Sequence, residues 1–455
     1  MKKRKLIRKL KEDKMKELTK DFLNEIEGEY LNNDLYTIAR HALTNNSISS
    51  LAKVNEQTEF TRNRFSIELK TLKVTNQKAS GRCWIFAGCN VLREVVAKKY
   101  NLKEFELSQN YVAFFDKLEK CNYLLESVIN LKNDQSEIRT LDTILQRGIE
   151  DGGQWDLFVN IIKKYGVVPK DAFPETYQSS NTREIDNLLN TYVRKFSYEI
   201  KNMENIDEIN YKKSDVMKNI YKILCSSFGV PPKTFSFEYV SEDKEEKKYN
   251  IIKNLTPHRF FEEFVGVNLD DYISIIHSPT IDKPFNETYT VKYLGNVIEG
   301  NNVKYLNLEM NRLKELVINQ LKNNEPVWFG SDCLQSADRK AGVWDDLSFD
   351  IDKLFQINTF MPKEAMLDTW ESAMNHAMVI TGVNIEDEKP TKWKIENSWG
   401  EDVANKGYYV ATDSWFDKFV YQAVINKKYL SNQELKDLEK EPKKLEIWDP
   451  MGTLA

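Results

Sequence analysis

Gln77-Lys78-Ala79-Ser80-Gly81-Arg82-Cys83-Trp84-Ile85-Phe86 is the stretch on which the reading of this 455-residue chain turns. It opens a helical pattern from Gly81 to Tyr100, with Phe86, Val91, Val95 and Val96 as apolar positions. Cys83 therefore stands at a predicted helix N-terminus. There, unpaired N–H groups and the helix dipole favour thiolate over thiol and lower a cysteine's pKa. Gly81, just upstream, lets backbone come close to a ligand. Most cysteines are small buried hydrophobes, and Cys89, Cys121 and Cys225 read that way. Cys333 follows a strand-like run and carries no functional reading.

A thiolate that attacks a carbonyl needs a base, and histidine is the usual one. The chain has four histidines. His376 opens the strand-like run Asn375-His376-Ala377-Met378-Val379-Ile380-Thr381-Gly382, from whose edge it can point into a cleft. His41, His258 and His277 lack such a setting and read as structural or solvated. The base needs an orienting partner. Asn397, 21 residues on, lies in Glu396-Asn397-Ser398-Trp399-Gly400 and can accept from the imidazole, with Trp399 shielding that bond from water. Gln77, six residues before Cys83, can share stabilisation of an oxyanion with the Cys83 N–H. Each residue alone has a blander reading. The set has weight because the roles complete one another.

The rest of the chain bounds the alternatives. The net charge is −5, which draws the chain to neither nucleic acid nor anionic membrane. No apolar run approaches the ~18 residues of a membrane span. Met1 to Lys14 is basic but lacks the apolar core of a secretory signal, and Leu18, Phe22 and Ile26 recur beyond it at helical spacing. Five cysteines without a CxxC pair argue against a disulfide framework or zinc site and for reduced thiols in a cytosol. A second helix is predicted from about Gln154 to Tyr165, with Gly166 as C-cap. Strands are predicted at Pro326–Gly330, Ala377–Gly382, Trp393–Ile395 and Gly407–Val410. A helical part, a middle of mixed signals and a sheet-rich part together predict an α+β architecture with two lobes.

These segments resemble the papain-like cysteine peptidases, whose nucleophile lies in C-G-[SA]-C-[WY]. In Ser80-Gly81-Arg82-Cys83-Trp84 the Gly, Cys and Trp match, and Gln77 takes the oxyanion position. Ser80 replaces a cysteine that forms a disulfide in secreted relatives, in keeping with a reducing compartment. His376 follows Cys83 by 293 positions, where roughly 130–150 is usual for that type. The excess requires a large insertion. With Asp151-Gly152-Gly153-Gln154-Trp155, Tyr165-Gly166-Val167-Val168-Pro169, Val327-Trp328-Phe329-Gly330 and Trp448-Asp449-Pro450-Met451-Gly452, the chain resembles the bleomycin hydrolase or bacterial aminopeptidase C family.

That resemblance implies a papain-like two-lobe fold divided into five parts. These are an N-terminal extension at 1–70, a helical lobe with the nucleophile at 71–180, an inserted helix-rich segment at 181–320, a sheet lobe with His376 and Asn397 at 321–430, and a C-terminal arm at 431–455. Gly152 and Gly153 would line the non-primed cleft, with Asn375 as a further substrate contact. Terminal tails are disordered by default. Here the resemblance instead implies that the arm enters the cleft and that the Ala455 carboxylate faces the substrate's α-amino group, giving an aminopeptidase. Thr453 stands where many relatives have alanine, a departure of small expected effect. The resemblance further implies peptide substrates with a free amino terminus, a cytoplasmic homohexamer, and no metal or organic cofactor. Neither a membrane nor nucleic acid is an expected partner. The rival readings are a papain-like endopeptidase and a peptidase with secondary nucleic-acid binding, for which the Met1 to Lys14 run and the middle block could make a local basic patch.

Overall fold

The computed structural model describes residues 17–55, 57, 62–243 and 246–454. They fall into two units. The smaller one joins described residues of 17–55 to Leu347–Phe360. Its helices are Lys20–Leu31, Asp34–Leu43 and Ile48–Ala52, started by the side chains of Thr19, Asn33 and Ser47, and a short helix runs over Ile351–Phe355. The expectation for Met1 to Lys14 lies outside the described residues.

The larger unit carries the chemistry. Its main helices are α1 (Cys83–Tyr100), α2 (Gln109–Leu131), α3 (Trp155–Tyr165), α4 (Arg183–Ile200), α5 (Ile206–Phe228) and α6 (Met310–Lys322). The first and third begin and end close to where the sequence predicts. α3 stops at Gly166, whose positive φ suits a residue without Cβ and whose N–H caps the Ile162 carbonyl. Its close neighbour is the Pro257 backbone, which a Cβ would strike.

The strands are β1 (Ile67–Glu68), β2 (Phe235–Asp243), β3 (Glu246–Leu255), β4 (Tyr272–Ile276), β5 (Thr288–Val291), β6 (Tyr305–Asn307), β7 (Val327–Ser331), β8 (Ala337–Asp338), β9 (Val343–Trp344), β10 (His376–Glu386), β11 (Lys389–Glu396), β12 (Tyr408–Thr412), β13 (Val420–Asn426) and β14 (Lys443–Leu445). β2 and β3 form a separate hairpin. The others make one mixed sheet in the order β14-β5-β6-β4-β13-β7-β10-β11-β12-β9-β8, with β1 attached to β10. The four predicted strands are β7, β10, β11 and β12, each displaced or extended by a few residues. The fold is α+β.

β10 is central and buried on both faces. Ala377 and Val379 pack into the core that contains α1 and α3, whereas Met378 and Ile380 pack into a second core under α6. Trp328 of β7 and Trp393 of β11 flank it on opposite faces. Each large apolar side chain buried so completely is worth roughly 1.5–3 kcal/mol. The start of β10, where His376 sits, is thus held on both faces. A third core gathers apolar faces of α2, α4 and α5, including Leu125, Leu189 and Ile220.

Candidate active site

The thiol, the imidazole and the amide come from three places in the chain, and the sheet brings two of them together. β10 and β11 pair antiparallel, which sets His376 at one strand's start near Asn397 just past the other's end. His376 Nε2 lies 2.8 Å from Asn397 Oδ1. That bond leaves Nδ1 as the nitrogen free to serve the thiol. Trp399 covers the ring, with centroids 5.1 Å apart and planes tilted by 30°. The expected shielding is present.

Cys83 is the first residue of α1, next to β10. The Ala377 N–H, one residue beyond His376, donates to Cys83 Sγ at 3.4 Å. The helix starts without a side-chain cap, so its N-terminal N–H groups have no side-chain partner there. The expectation of a lowered cysteine pKa does not hold. Burial pushes the Cys83 thiol up to about 11, against bonds from the Ala377 and Trp84 N–H groups, and the Asp151 charge adds to the rise. The cause is position: a helix N-terminus favours thiolate only while water or a partner shares the charge, and Cys83 is sealed from solvent. Burial likewise brings His376 down to about 4, opposed by its bond to Asn397 and reinforced by the Arg339 charge. Both shifts oppose the charged forms of the two groups.

Gln77 is positioned by a tight turn. Its Nε2 donates to the Ser80 carbonyl at 2.6 Å, and Ser80 Oγ returns a bond to the Gln77 carbonyl. Across the cleft, Ser398 Oγ donates to Gln77 Oε1 at 2.6 Å, and the Gln77 N–H donates to the Ser398 carbonyl. Orientation of the amide is thus set, and one Nε2 hydrogen is left for a substrate oxygen. Ser80 earns its place in the turn through these hydrogen bonds.

Gly81 donates its N–H to Asp151 Oδ2 at 2.7 Å, and a Cβ there would come within 2.8 Å of Asp151. Its close neighbour is this carboxylate, where the sequence suggested a ligand. Burial works against ionisation of Asp151, yet the Lys117 ammonium and bonds from Thr182 and Gly81 hold it well below the usual carboxylate range. Gly153 abuts the Trp84 indole, which a Cβ would meet at 2.7 Å. The Gly152 carbonyl accepts from the Lys120 ammonium, which also stands over Trp84 at 5.2 Å. Gly152 and Gly153 line one wall of a cavity of about 290 Å³, and Gly452, Thr453 and Leu454 line another.

The tail is ordered against the body. β14 pairs parallel with β5, Arg139 stacks on Trp448 at 3.8 Å, and Lys283 pairs with Asp449 at 3.0 Å. Tyr305 donates its hydroxyl to the Met451 carbonyl at 3.1 Å, and Leu454 is 3% exposed. Thr453 Oγ1 donates to the Met374 carbonyl at 2.9 Å, a bond alanine could not make. Ala455 lies outside the described residues. The Asn375 amide is turned to protein: its Nδ2 donates to Asp332, and its Oδ1 accepts from the Cys333 N–H at 3.1 Å.

Of the other histidines, His277 is buried with Nδ1 at the Leu308 carbonyl, and His41 and His258 are exposed. Cys89 and Cys121 are buried and Cys225 partly so. Sequence reasoning missed Lys120, Met374 and the hydroxyl of Ser398. Only Lys120 left a trace, its spacing of four from Asp116, with which it pairs at 2.8 Å.

Residues 17–452 match the Peptidase C1-like family. Aminopeptidase C of Lactobacillus delbrueckii subsp. lactis is 44% identical over 447 residues, covering 97% of this chain and 99% of that protein. Bleomycin hydrolase of Homo sapiens is 39% identical over 394 residues, covering 84% and 86%. The crystal structure of PepW from Lactobacillus rhamnosis superimposes with a TM-score of 0.94 at 44% identity, covering 96% of this chain and 99% of that one.

Proposed function

Taking as premise that this chain belongs to the Peptidase C1-like family and is a cysteine aminopeptidase, we propose that Cys83 is its nucleophile and that its own C-terminal arm confines cleavage to amino termini. His376 Nδ1 takes the Cys83 proton as sulfur bonds to the carbonyl carbon of the substrate's first residue. The oxyanion is stabilised by the Cys83 N–H and the remaining Gln77 Nε2 hydrogen. His376 protonates the departing amine, leaving a thioester on Cys83. It then deprotonates a water that attacks the thioester, and the acid leaves as the thiol reforms. Asn397 holds the ring through both steps.

One observation carries the aminopeptidase mechanism. Thr453 is bonded to Met374, two residues before His376, and Leu454 is buried beside it. This supports an arm that fills the non-primed end of the cleft. The Ala455 carboxylate would then meet the substrate's ammonium and set its distance from Cys83. Gly152 and Gly153 would take the substrate backbone. The test is a peptide library with free and N-acetylated termini. Cleavage of the free-amine set alone is expected, and equal cleavage of both sets refutes the proposal.

On the family relationship we further propose a cytoplasmic homohexamer whose active sites face an internal chamber. The five unpaired cysteines support a reducing compartment, and among the described residues no helix is long and apolar enough to cross a membrane. A monomer in sedimentation velocity at micromolar concentration would refute the assembly.

A further inference from the structure

Arg339 lies in the turn between β8 and β9 and is exposed. Its guanidinium stands 5.5 Å from the centre of the Trp399 ring, and that ring stands 5.1 Å from the His376 imidazole. The cation is therefore at most about three extended residues, at ~3.3–3.6 Å each, from the base. Its side chain is open to solvent. Its charge nonetheless reaches the site and is one cause of the lowered His376 value. A guanidinium attracted to an indole face keeps its N–H groups, which are arranged as a fork that fits a carboxylate.

The described end of the arm occupies the side of Met374 and Gly330. A peptide continuing beyond the scissile bond is left the side of Trp399. Resting on the aminopeptidase reading, we propose that Arg339 is a specificity residue for the departing half of the substrate and receives the C-terminal carboxylate of short peptides, from dipeptides to tetrapeptides. Short peptides would thus be held at both ends, by their ammonium and by their carboxylate.

The experiment compares three substrates sharing one N-terminal residue: a tripeptide acid, the same tripeptide amide, and an aminoacyl coumarin amide that has no leaving-group carboxylate. Each is assayed with the full-length enzyme and with Arg339→Gln and Arg339→Lys. In the wild type, kcat/KM for the acid should exceed that for the amide by about fivefold, the scale of one solvent-accessible charge-assisted contact. Arg339→Gln should bring that ratio to near one, with the loss on the acid about fivefold larger than any change on the coumarin amide. Arg339→Lys should retain part of the preference. A wild-type ratio of one, a preference that survives in Arg339→Gln, or an equal loss on all three substrates overturns the proposal. If the wild type leaves all three intact, the aminopeptidase reading itself falls, because the coumarin amide tests that reading independently of Arg339.

Discussion

The Thr453 hydroxyl is 2.9 Å from the carbonyl oxygen of Met374 and 2.7 Å from that of Pro450, so its single hydrogen ties the tail both to itself and to the segment leading into His376. This bond joins the two ends of the proposed mechanism, the arm and the base. Thr453→Ala removes one hydrogen bond of about 1 kcal/mol and leaves Leu454 to anchor the arm. Its product profile should match the wild type, with a melting temperature lower by no more than a few degrees. Deleting residues 453–455 should instead lower release of N-terminal residues and expose cleavage inside N-acetylated peptides. Mass spectrometry of the products separates the two outcomes.

The same deletion should change the chemistry of the thiol. Burial is the first cause of the raised Cys83 value and of the lowered His376 value. Admitting water moves Cys83 down from about 11 and His376 up from about 4. The pH midpoint for alkylation by iodoacetamide should therefore fall in the truncated enzyme. A midpoint that stays put would show that the arm is not what desolvates the pair.

Cys83→Ala should abolish hydrolysis of an aminoacyl coumarin amide while leaving the circular dichroism unchanged. The same activity should be lost when wild-type enzyme is alkylated, with the label found on the peptide containing Cys83. Activity in the variant above a thousandth of wild type would remove Cys83 from the mechanism.

Asn397→Ala frees the imidazole to turn, and misplacement by about 1 Å costs up to ~10²-fold in rate. Gln77→Ala deletes an oxyanion donor, worth ~10²–10³-fold in kcat. Both losses should appear in kcat with KM little changed. A rise in KM alone would assign these residues to ground-state binding instead.

Glu396, just before Asn397, shares Arg93 with Glu94; its own contact to that guanidinium is 2.8 Å. Burial raises its pKa to about 7, against the Arg93 charge and with the Glu94 charge adding to the rise. A carboxyl raised in the folded state keeps its proton there after the unfolded chain has lost it. Its contribution to stability is complete below the unfolded value near 4.5 and is lost as pH rises through about 7. Glu396→Gln cannot ionise. From pH 4.5 to 8 the wild type should therefore lose a few degrees of melting temperature relative to the variant. Parallel curves would show that Glu396 ionises normally.

Much of the site was legible in the sequence because its parts are locally encoded. Of the residues proposed for it, Cys83 reads from a helix start, His376 from an apolar strand run, and Asn397 from a turn after another strand. The hydrogen bond between His376 and Asn397 followed once β10 and β11 paired. Gln77 was legible as an amide, but its orientation was not, since Ser398 sets it from 321 residues away in sequence. Lys120 and Arg339 escaped notice because charged side chains have no period that distinguishes an exposed face from a site.

Local signals suffice to read the residue types proposed for acyl transfer and the helix and strands that carry them, because periodicity, turn residues and capping act over a few positions. Their electrostatics and their access depend on packing between distant segments. Sealing the helix N-terminus reversed the expected shift at Cys83, because desolvation of a thiolate outweighs a few N–H dipoles. The tail's place beside Met374 was likewise decided by packing, through contacts with Tyr305, Lys283 and Arg139 that lie far from it along the chain.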